Sequence, residues 1–386
     1  MNTASLKNKK IAIVYDWIDK WGGVERVLLT LHDMFPQAHF YTSYYDSYSA
    51  PWAKNLKIKT SFIQHLPNFI KKNRIFSLFL YPYAFESFDL SEYDIVISVS
   101  SSFAKSVITK PCTLHISYLL TPTRFLWLYP EIYTNNFFKK ILYAPFLYRL
   151  RKWDFIVSQR PDHYIAISRT VQRRIKKYYK RQSEVIYPPF ENEYWEKIKK
   201  GNLVPSESEG LKIKNYIEKF KNKKYFFVVS RLESYKKVDL VIQTFNKLKE
   251  PLIIVGSGTQ LNKLRKIAGE NVSFFQNITD QELAYLYSHA EALIMPQEED
   301  FGYVSLEAQF FGCPVIAYRK GGAAETVIDG KTGIFFDEQT EASLAKAVAN
   351  FHMLSYTLRK QTTQYGLKNI ERFNQNVFQS RLIKYI

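Results

Sequence analysis

The sequence predicts an α/β protein built from two doubly wound domains that face a central cleft. Three observations carry that expectation. The chain has 386 residues, more than the roughly 250–300 at which a single hydrophobic core stops growing. Short apolar runs alternate with amphipathic stretches along most of it, which is the pattern of parallel strands joined by crossover helices. A polar stretch, residues 191–222 with "GNLVPSESEG" inside it, separates two such series. The domains expected are 1–204, joined by a C-terminal helix at 366–386, and 205–365.

In the first half, "KKIAIVYDW" reads as a buried strand, and "WGGVERVLLTLHDMF" sets Val24, Val27, Leu28 and Leu31 at helical spacing. Further strands are expected at "HFYTSY", "DIVISVS", "CTLHISYLL", "HYIAIS" and "SEVIYPP". In the second half the strands are "YFFVVSRL", "PLIIVGSG", "VSFFQN", "ALIMP", "PVIAY" and "TGIFF", with helices at 237–249, 259–268, 280–289 and 303–312. The final "LKNIERFNQNVFQSRLIKYI" is amphipathic and reads as a closing helix. Open sheets bind ligands beyond the carboxyl ends of their strands, so the loops after each strand are where chemistry belongs.

Composition narrows the class. With 46% hydrophobic and 16% aromatic residues the chain buries large cores and is not disordered. Cys112 and Cys313 lie far apart with no metal-ligand spacing, which fits a reducing compartment and indicates neither a disulfide framework nor zinc. The apolar run near the N-terminus is a first strand and no run of 18 apolar residues follows, so a cytoplasmic, non-spanning protein is expected. The net charge of +18 is uneven: residues 1–204 hold 30 Lys/Arg against 16 Asp/Glu, and residues 205–365 hold 20 against 19. Residues 135–181 alone hold 13 basic and two acidic residues among Phe, Tyr, Leu and Trp, which suits an anionic membrane surface. Nucleic-acid binding is the remote alternative, and no recognition motif accompanies it.

Four strand-end loops carry the candidate site. In "LIMPQEEDFGYVSLEAQFFG", Glu298, Glu299 and Asp300 follow a strand, Gly302 lets a ligand approach the backbone, and the amides at Tyr303 and Val304 open a helix, where anions bind. Glu307 lies one turn inside that helix. The acids read either as a solvated helix-capping loop or as groups that bind hydroxyls. No Asp-x-Asp or His/Asp cluster supports a divalent metal. In "SRLESYKKVDL", Arg231 and Lys236 sit at one strand-to-helix crossing, suited to a diphosphate. Gly22 and Gly23 start the first helix, and Gly321, Gly322 and Glu325 follow the strand "PVIAY". "IIVGSGTQL" begins like a dinucleotide fingerprint but has Leu261 at the third glycine, so a nicotinamide cofactor is not expected.

These residues resemble the retaining glycosyltransferases of family 4, which have the GT-B fold of two Rossmann-like domains. The likeness is strongest over 225–335. Glu299 and Glu307 match the E-x7-E pattern, Arg231 and Lys236 match R-x4-K, and "GGVERVL" is similar to the family's glycine loop. The resemblance implies metal-independent transfer of a hexose from a nucleotide-diphosphate sugar with retention of configuration. Glu299 would bind the donor sugar, Glu307 the ribose hydroxyls, and Arg231 and Lys236 the diphosphate. "YDWIDKWGGVERVL" and "LLTPTRFLW" resemble mannosyltransferases of surface-polysaccharide and lipopolysaccharide assembly, implying GDP-mannose ahead of a UDP-sugar and a lipid-linked or polysaccharide acceptor on the N-terminal domain. Two positions depart from that pattern. Leu119-Leu120 stands where those relatives carry Cys-His, and Ile167 where they carry Asn. A catalytically impaired sugar-nucleotide-binding protein of the same fold is the alternative. His115 is read as a core histidine, with substitution for the missing histidine as the other possibility.

Overall fold

The computed structural model describes residues 9–74, 76–128, 137–201 and 224–386, with side chains in the third segment from residue 144 onward. The linker expected within 202–222, the boundary at 204/205 and the start of the basic stretch at 135–136 lie outside the described residues. Two compact units result, residues 1–189 with 375–386, and residues 190–374.

In the first unit seven strands form one parallel sheet: β1 Ile11–Tyr15, β2 His39–Thr42, β3 Lys57–Thr60, β4 Ile95–Ser100, β5 Leu114–Leu119, β6 His163–Ala166 and β7 Glu184–Val185. Their spatial order is β3-β2-β1-β4-β5-β6-β7. β1 and β4 are buried at every position, as expected for central strands covered on both faces. Every strand expected from the sequence forms. β3 is an addition: "KIKT" alternates exposed lysines with half-buried residues, a polar edge pattern that carries little hydrophobic signal.

The second unit has six parallel strands, β8 Phe226–Val229, β9 Leu252–Val255, β10 Val272–Phe275, β11 Leu293–Met295, β12 Val315–Tyr318 and β13 Gly333–Phe336. Their order is β10-β9-β8-β11-β12-β13. The crossover helices Val238–Leu248, Leu261–Ile267, Asp280–His289 and Tyr303–Phe310 fall within the ranges the periodicity gave. Thr279 and Glu282 close a reciprocal capping box on the third of these. In both sheets the order doubles back at one pair of neighbours, β1/β4 and β8/β11. Ligands of doubly wound sheets collect beside that pair.

Three sequence expectations change. The closing segment is two helices instead of one: Glu341–Ile370 ends in the short turn Glu371–Phe373, and Gln375–Leu382 follows. The chain passes between the units at that break, downstream of the 365/366 boundary expected. The other crossing is at Pro189–Phe190, upstream of 204/205. The two crossings meet, since Phe190 N donates to Phe373 O at 2.6 Å and Phe190 pairs with Asn374 as a parallel bridge. The helix Asn192–Lys200 therefore belongs to the second unit, where buried Trp195 packs edge-on against Phe311 with ring centroids 5.6 Å apart. Finally, the basic stretch 135–181 is not one surface. It comprises the helix Phe137–Val157, β6 and the helix Arg169–Tyr179. Arg160 pairs with Glu86 at 2.8 Å, and Arg181 Nη2 donates to the Pro161 carbonyl at 2.7 Å.

One buried polar network anchors the long helix of the first unit. Asp154 receives Lys105 Nζ at 2.7 Å, Thr123 Oγ1 at 2.9 Å, Trp127 Nε1 at 2.7 Å and Tyr179 OH at 2.9 Å. The side chains of Lys105 and Asp154 are 0% and 1% exposed. A charge pair taken out of water is tolerable only when its remaining hydrogen-bonding capacity is met, as it is here. We expect Asp154→Ala to strand the Lys105 charge and lower unfolding stability by about 3–5 kcal/mol. Replacing Asp154 by Leu together with Lys105 by Met is expected to cost much less. Urea unfolding of the two variants checks both outcomes.

Candidate active site

β8 leads into Ser230 and Arg231, then the turn Ser234–Lys236 and the helix Val238–Leu248. Lys236 is 7% exposed, low for an ammonium, and its Nζ donates to Glu299 Oε1 in the loop after β11. Gln297 Nε2 donates to the same oxygen at 2.7 Å. β8 and β11 are sheet neighbours, so the reversal of strand order brings together groups 63 residues apart in sequence. Arg231 stands exposed at the same strand end, and its Nη2 donates to Tyr235 OH at 2.8 Å. The R-x4-K cations and the first glutamate of E-x7-E thus occupy adjoining strand ends.

Glu307 is 4% exposed, and its Oε2 accepts from Tyr287 OH at 3.0 Å. This deep carboxylate is fixed in orientation by its donor, while Glu299 lies nearer the surface. Asp300 is also buried, which corrects the reading of the acids as a solvated loop. Gly302 adopts φ +88° as it enters the helix Tyr303–Phe310, a conformation that strains any residue with a Cβ. Its neighbours Tyr303 and Val304 are half-buried at that helix start.

The glycine pair after β12 has a specific structural reason. Glu299 and Gly321 form a parallel bridge, and Gly322 N donates to Glu299 O at 2.7 Å. A Cβ on Gly321 would come within 2.4 Å of Glu299 O, and one on Gly322 within 2.2 Å of Phe301 O. The pair exists so that one strand-end loop can lie directly on the backbone of the other, which holds Glu299 in place. Glu325, half-buried on the short helix Ala323–Thr326, follows from the same loop.

In the first unit the equivalent position at the end of β1 holds Asp16, fully buried. Its carboxylate accepts from the Ser101, Phe103 and Ala104 amides at 2.7 Å each and from Ser101 Oγ at 2.9 Å. The loops after β1 and β4 are thereby tied together. Gly23 caps the helix Val24–Met34 through its backbone alone. Beneath Gly22 lies Glu25, 2% exposed, whose Oε2 has no hydrogen-bond partner among the described residues. Burial pushes the Glu25 carboxyl up to about 7, against the pull of the Glu25 and Gly22 amides and Lys20. His115, at the second position of β5, is fully buried, and its Nε2 lies 2.9 Å from Ser98 Oγ. Burial depresses it to about 4. It is a core histidine at the far end of the strand from Leu119 and Leu120.

The structure places the expected Arg231, Lys236 and Glu299 at adjoining strand ends and Glu307 on the following helix, held by groups the sequence did not single out. Tyr287 lies on a helix with no local pattern to mark it, and Gln297 is masked by the acids beside it. Asp16 was legible as the acid that ends the first strand. Among the described residues no group of three or more His, Cys, Asp or Glu is gathered as a metal site.

Two family models match successive parts of the chain, one described as Glycosyltransferase Family 4 over residues 21–194 and one as Glycosyl transferases group 1 over residues 211–369. The chain belongs to glycosyltransferase family 4. Among its relatives, this family 4 glycosyltransferase is 35% identical over 140 residues to the GDP-mannose-dependent alpha-(1-6)-phosphatidylinositol monomannoside mannosyltransferase of Mycolicibacterium smegmatis, covering 32% of the chain and 37% of the relative. An uncharacterised glycosyltransferase of Methanocaldococcus jannaschii is 30% identical over half of each chain. The chain thus spans about a third to a half of the curated relatives it matches. Its GT-B fold is shared with the Anabaena protein HepE in complex with UDP-glucose, at TM-score 0.67 and 16% identity over 97% of this chain and 98% of that one.

The Glu25 carboxyl gives a pH signature. Its folded value lies above the ordinary 4.5, so between about 4.5 and 7 the folded chain binds more protons than the unfolded one and stability falls as pH rises. Glu25→Gln removes that loss. Thermal or urea unfolding is expected to show the variant more stable than the parent near pH 8, by on the order of 2–3 kcal/mol, with the gap closing towards about pH 4.5.

Proposed function

We propose that this protein is a retaining, metal-independent hexosyltransferase whose donor is a nucleotide-diphosphate sugar, GDP-mannose ahead of a UDP-sugar. The observation that carries the reading is the meeting of Lys236 with Glu299 beside Arg231 at the β8 and β11 strand ends. Donor cleavage breaks the bond between the anomeric carbon and the diphosphate oxygen. Negative charge then builds on that oxygen, where a guanidinium, an ammonium and a helix N-terminus stabilise it without a metal. Lys236 and Arg231 take the diphosphate, and Gly302, Tyr303 and Val304 present the helix start to it. Glu299 engages hydroxyls of the donor sugar, Glu307 those of the ribose, and the Gly22–Gly23 loop and Glu325 complete donor binding.

For the donor base, GDP is supported by the GDP-mannose dependence of the mycobacterial relative. A UDP-sugar is the second reading, favoured by the UDP-glucose complex of HepE and by Leu120, which stands where mannosyltransferase-like relatives carry histidine. The acceptor is a lipid-linked oligosaccharide, lipopolysaccharide or polysaccharide. The protein works at the inner face of the cytoplasmic membrane as a peripheral protein, attracted to anionic lipid by cations within 135–181. Among the described residues no helix is long and apolar enough to cross a membrane.

Arg231→Ala is expected to reduce turnover on the order of 100 to 1,000-fold. Because Arg231 is exposed, its stability is expected to stay within about 0.5 kcal/mol of the parent. Glu299→Gln is expected to lose turnover to a similar extent. Release of GDP or UDP from candidate donors, followed by mass spectrometry alongside thermal unfolding, checks both. Near-normal turnover in both variants would remove the site assignment.

A further inference from the structure

Half of the large hydrophobic side chains that the described residues leave exposed lie in two segments of the first unit, 62–83 and 144–156. In the first, Phe69, Phe76, Phe79 and Tyr83 are 68%, 61%, 55% and 68% exposed. The segment is not loose, because its Ile63 and Tyr81 are fully buried, as are Ala84 and Phe85 directly after it. Ser77 Oγ donates to the Ile70 carbonyl at 2.5 Å, which ties the turn after Phe69 to the turn that follows Phe76. In the second segment Tyr148 and Ile156 are 71% and 55% exposed on the outer face of the helix Phe137–Val157, with Arg149 and Lys152 exposed between them. Phe79 and Phe146 pack with their rings tilted by 36° and centroids 4.0 Å apart, which joins the two segments into one patch.

The two segments are basic: they contain Lys71, Lys72, Arg74, Arg149, Arg151 and Lys152, and their one acid, Asp154, is buried against Lys105. Asp46 and Asp19 from neighbouring loops pair with Lys72 at 2.7 Å and Arg74 at 2.9 Å, so the positive charge of the patch rests on exposed Arg149 and Lys152 with half-buried Lys71 and Arg151. Rings standing clear of the surface among long basic side chains are the composition of an interfacial membrane contact. Two copies of this chain meeting face to face would oppose like charges, which disfavours self-association.

We propose that residues 62–74 and 76–83 form an apolar wedge that inserts into the headgroup region of an anionic bilayer, with the 144–156 helix face lying beside it. This deepens the membrane reading given above and rests on it. Attraction by cations alone is screened by salt, whereas buried rings are not. The wedge therefore supplies a salt-resistant component of binding, and it orients the first unit against the surface from which a lipid-linked acceptor would come.

The test is co-sedimentation of the full chain with phosphatidylglycerol/phosphatidylethanolamine vesicles at low salt and at about 1 M salt, where the screening length falls to about 3 Å. Wild type is expected to bind at low salt and to keep a bound fraction at high salt. The double variant Phe69→Ser with Phe76→Ser is expected to partition about tenfold more weakly at high salt, with unchanged thermal unfolding. Wild-type binding that high salt abolishes completely overturns the wedge and leaves the electrostatic reading standing. Absence of binding even at low salt overturns both. Equal binding by the double variant at high salt overturns the wedge, as does a wild-type dimer on gel filtration that the double variant converts to monomer without change in vesicle binding.

Discussion

The Glu299 carboxylate, held by Lys236 and Gln297 across the gap between β8 and β11, is the contact on which the arrangement of the second unit's candidate site depends. Lys236 is nearly buried and needs a counter-charge, and the strand order supplies one from the neighbouring loop. The glycine pair after β12 admits the Glu299 backbone so closely that the loop has little room to move. A cation and a carboxylate are thus set in place before any ligand arrives. Preorganisation of that kind is what makes electrostatic stabilisation effective in catalysis.

The first unit uses the same device with different partners. Asp16 closes the gap between β1 and β4 with three backbone amides and a hydroxyl instead of a lysine. The anchored loops leave Gly22, Gly23 and the buried Glu25 at the start of the first helix. Asp154 extends the arrangement to the long basic helix, fixing it through Lys105, Thr123, Trp127 and Tyr179. The helix's outer face is then free to carry exposed rings and cations, because its inner face is tied by a network that needs no further partner.

Much of this was legible in the sequence because central parallel strands are continuous runs with few charges: "IAIVY", "IVISVS" and "LIIV" are buried throughout, and their signal survives any context. Polar edge strands give no such signal, and β3 was missed for that reason. The unit boundaries were misplaced because composition marks where a chain is polar. The chain instead crosses where Phe190 meets Phe373 and Asn374, a pairing between positions far apart in sequence. The charged members of the candidate site were readable from motif and spacing. Tyr287, Gln297 and the role of Gly321 and Gly322 were not, since each depends on which strand lies next to which. The aromatic residues of 62–85 carry no periodicity that separates core from surface: Tyr81 and Phe85 lie inside and Phe69, Phe76 and Phe79 outside.

The central claim is that a nucleoside diphosphate binds across the β8 and β11 strand ends. Backbone hydrogen exchange of the full chain with and without GDP, and with UDP in parallel, tests it most directly. The bound diphosphate is expected to slow exchange at amides within 230–238 and 298–304, with weaker effects elsewhere in the second unit. Binding that leaves both segments unchanged and protects another region instead would contradict it.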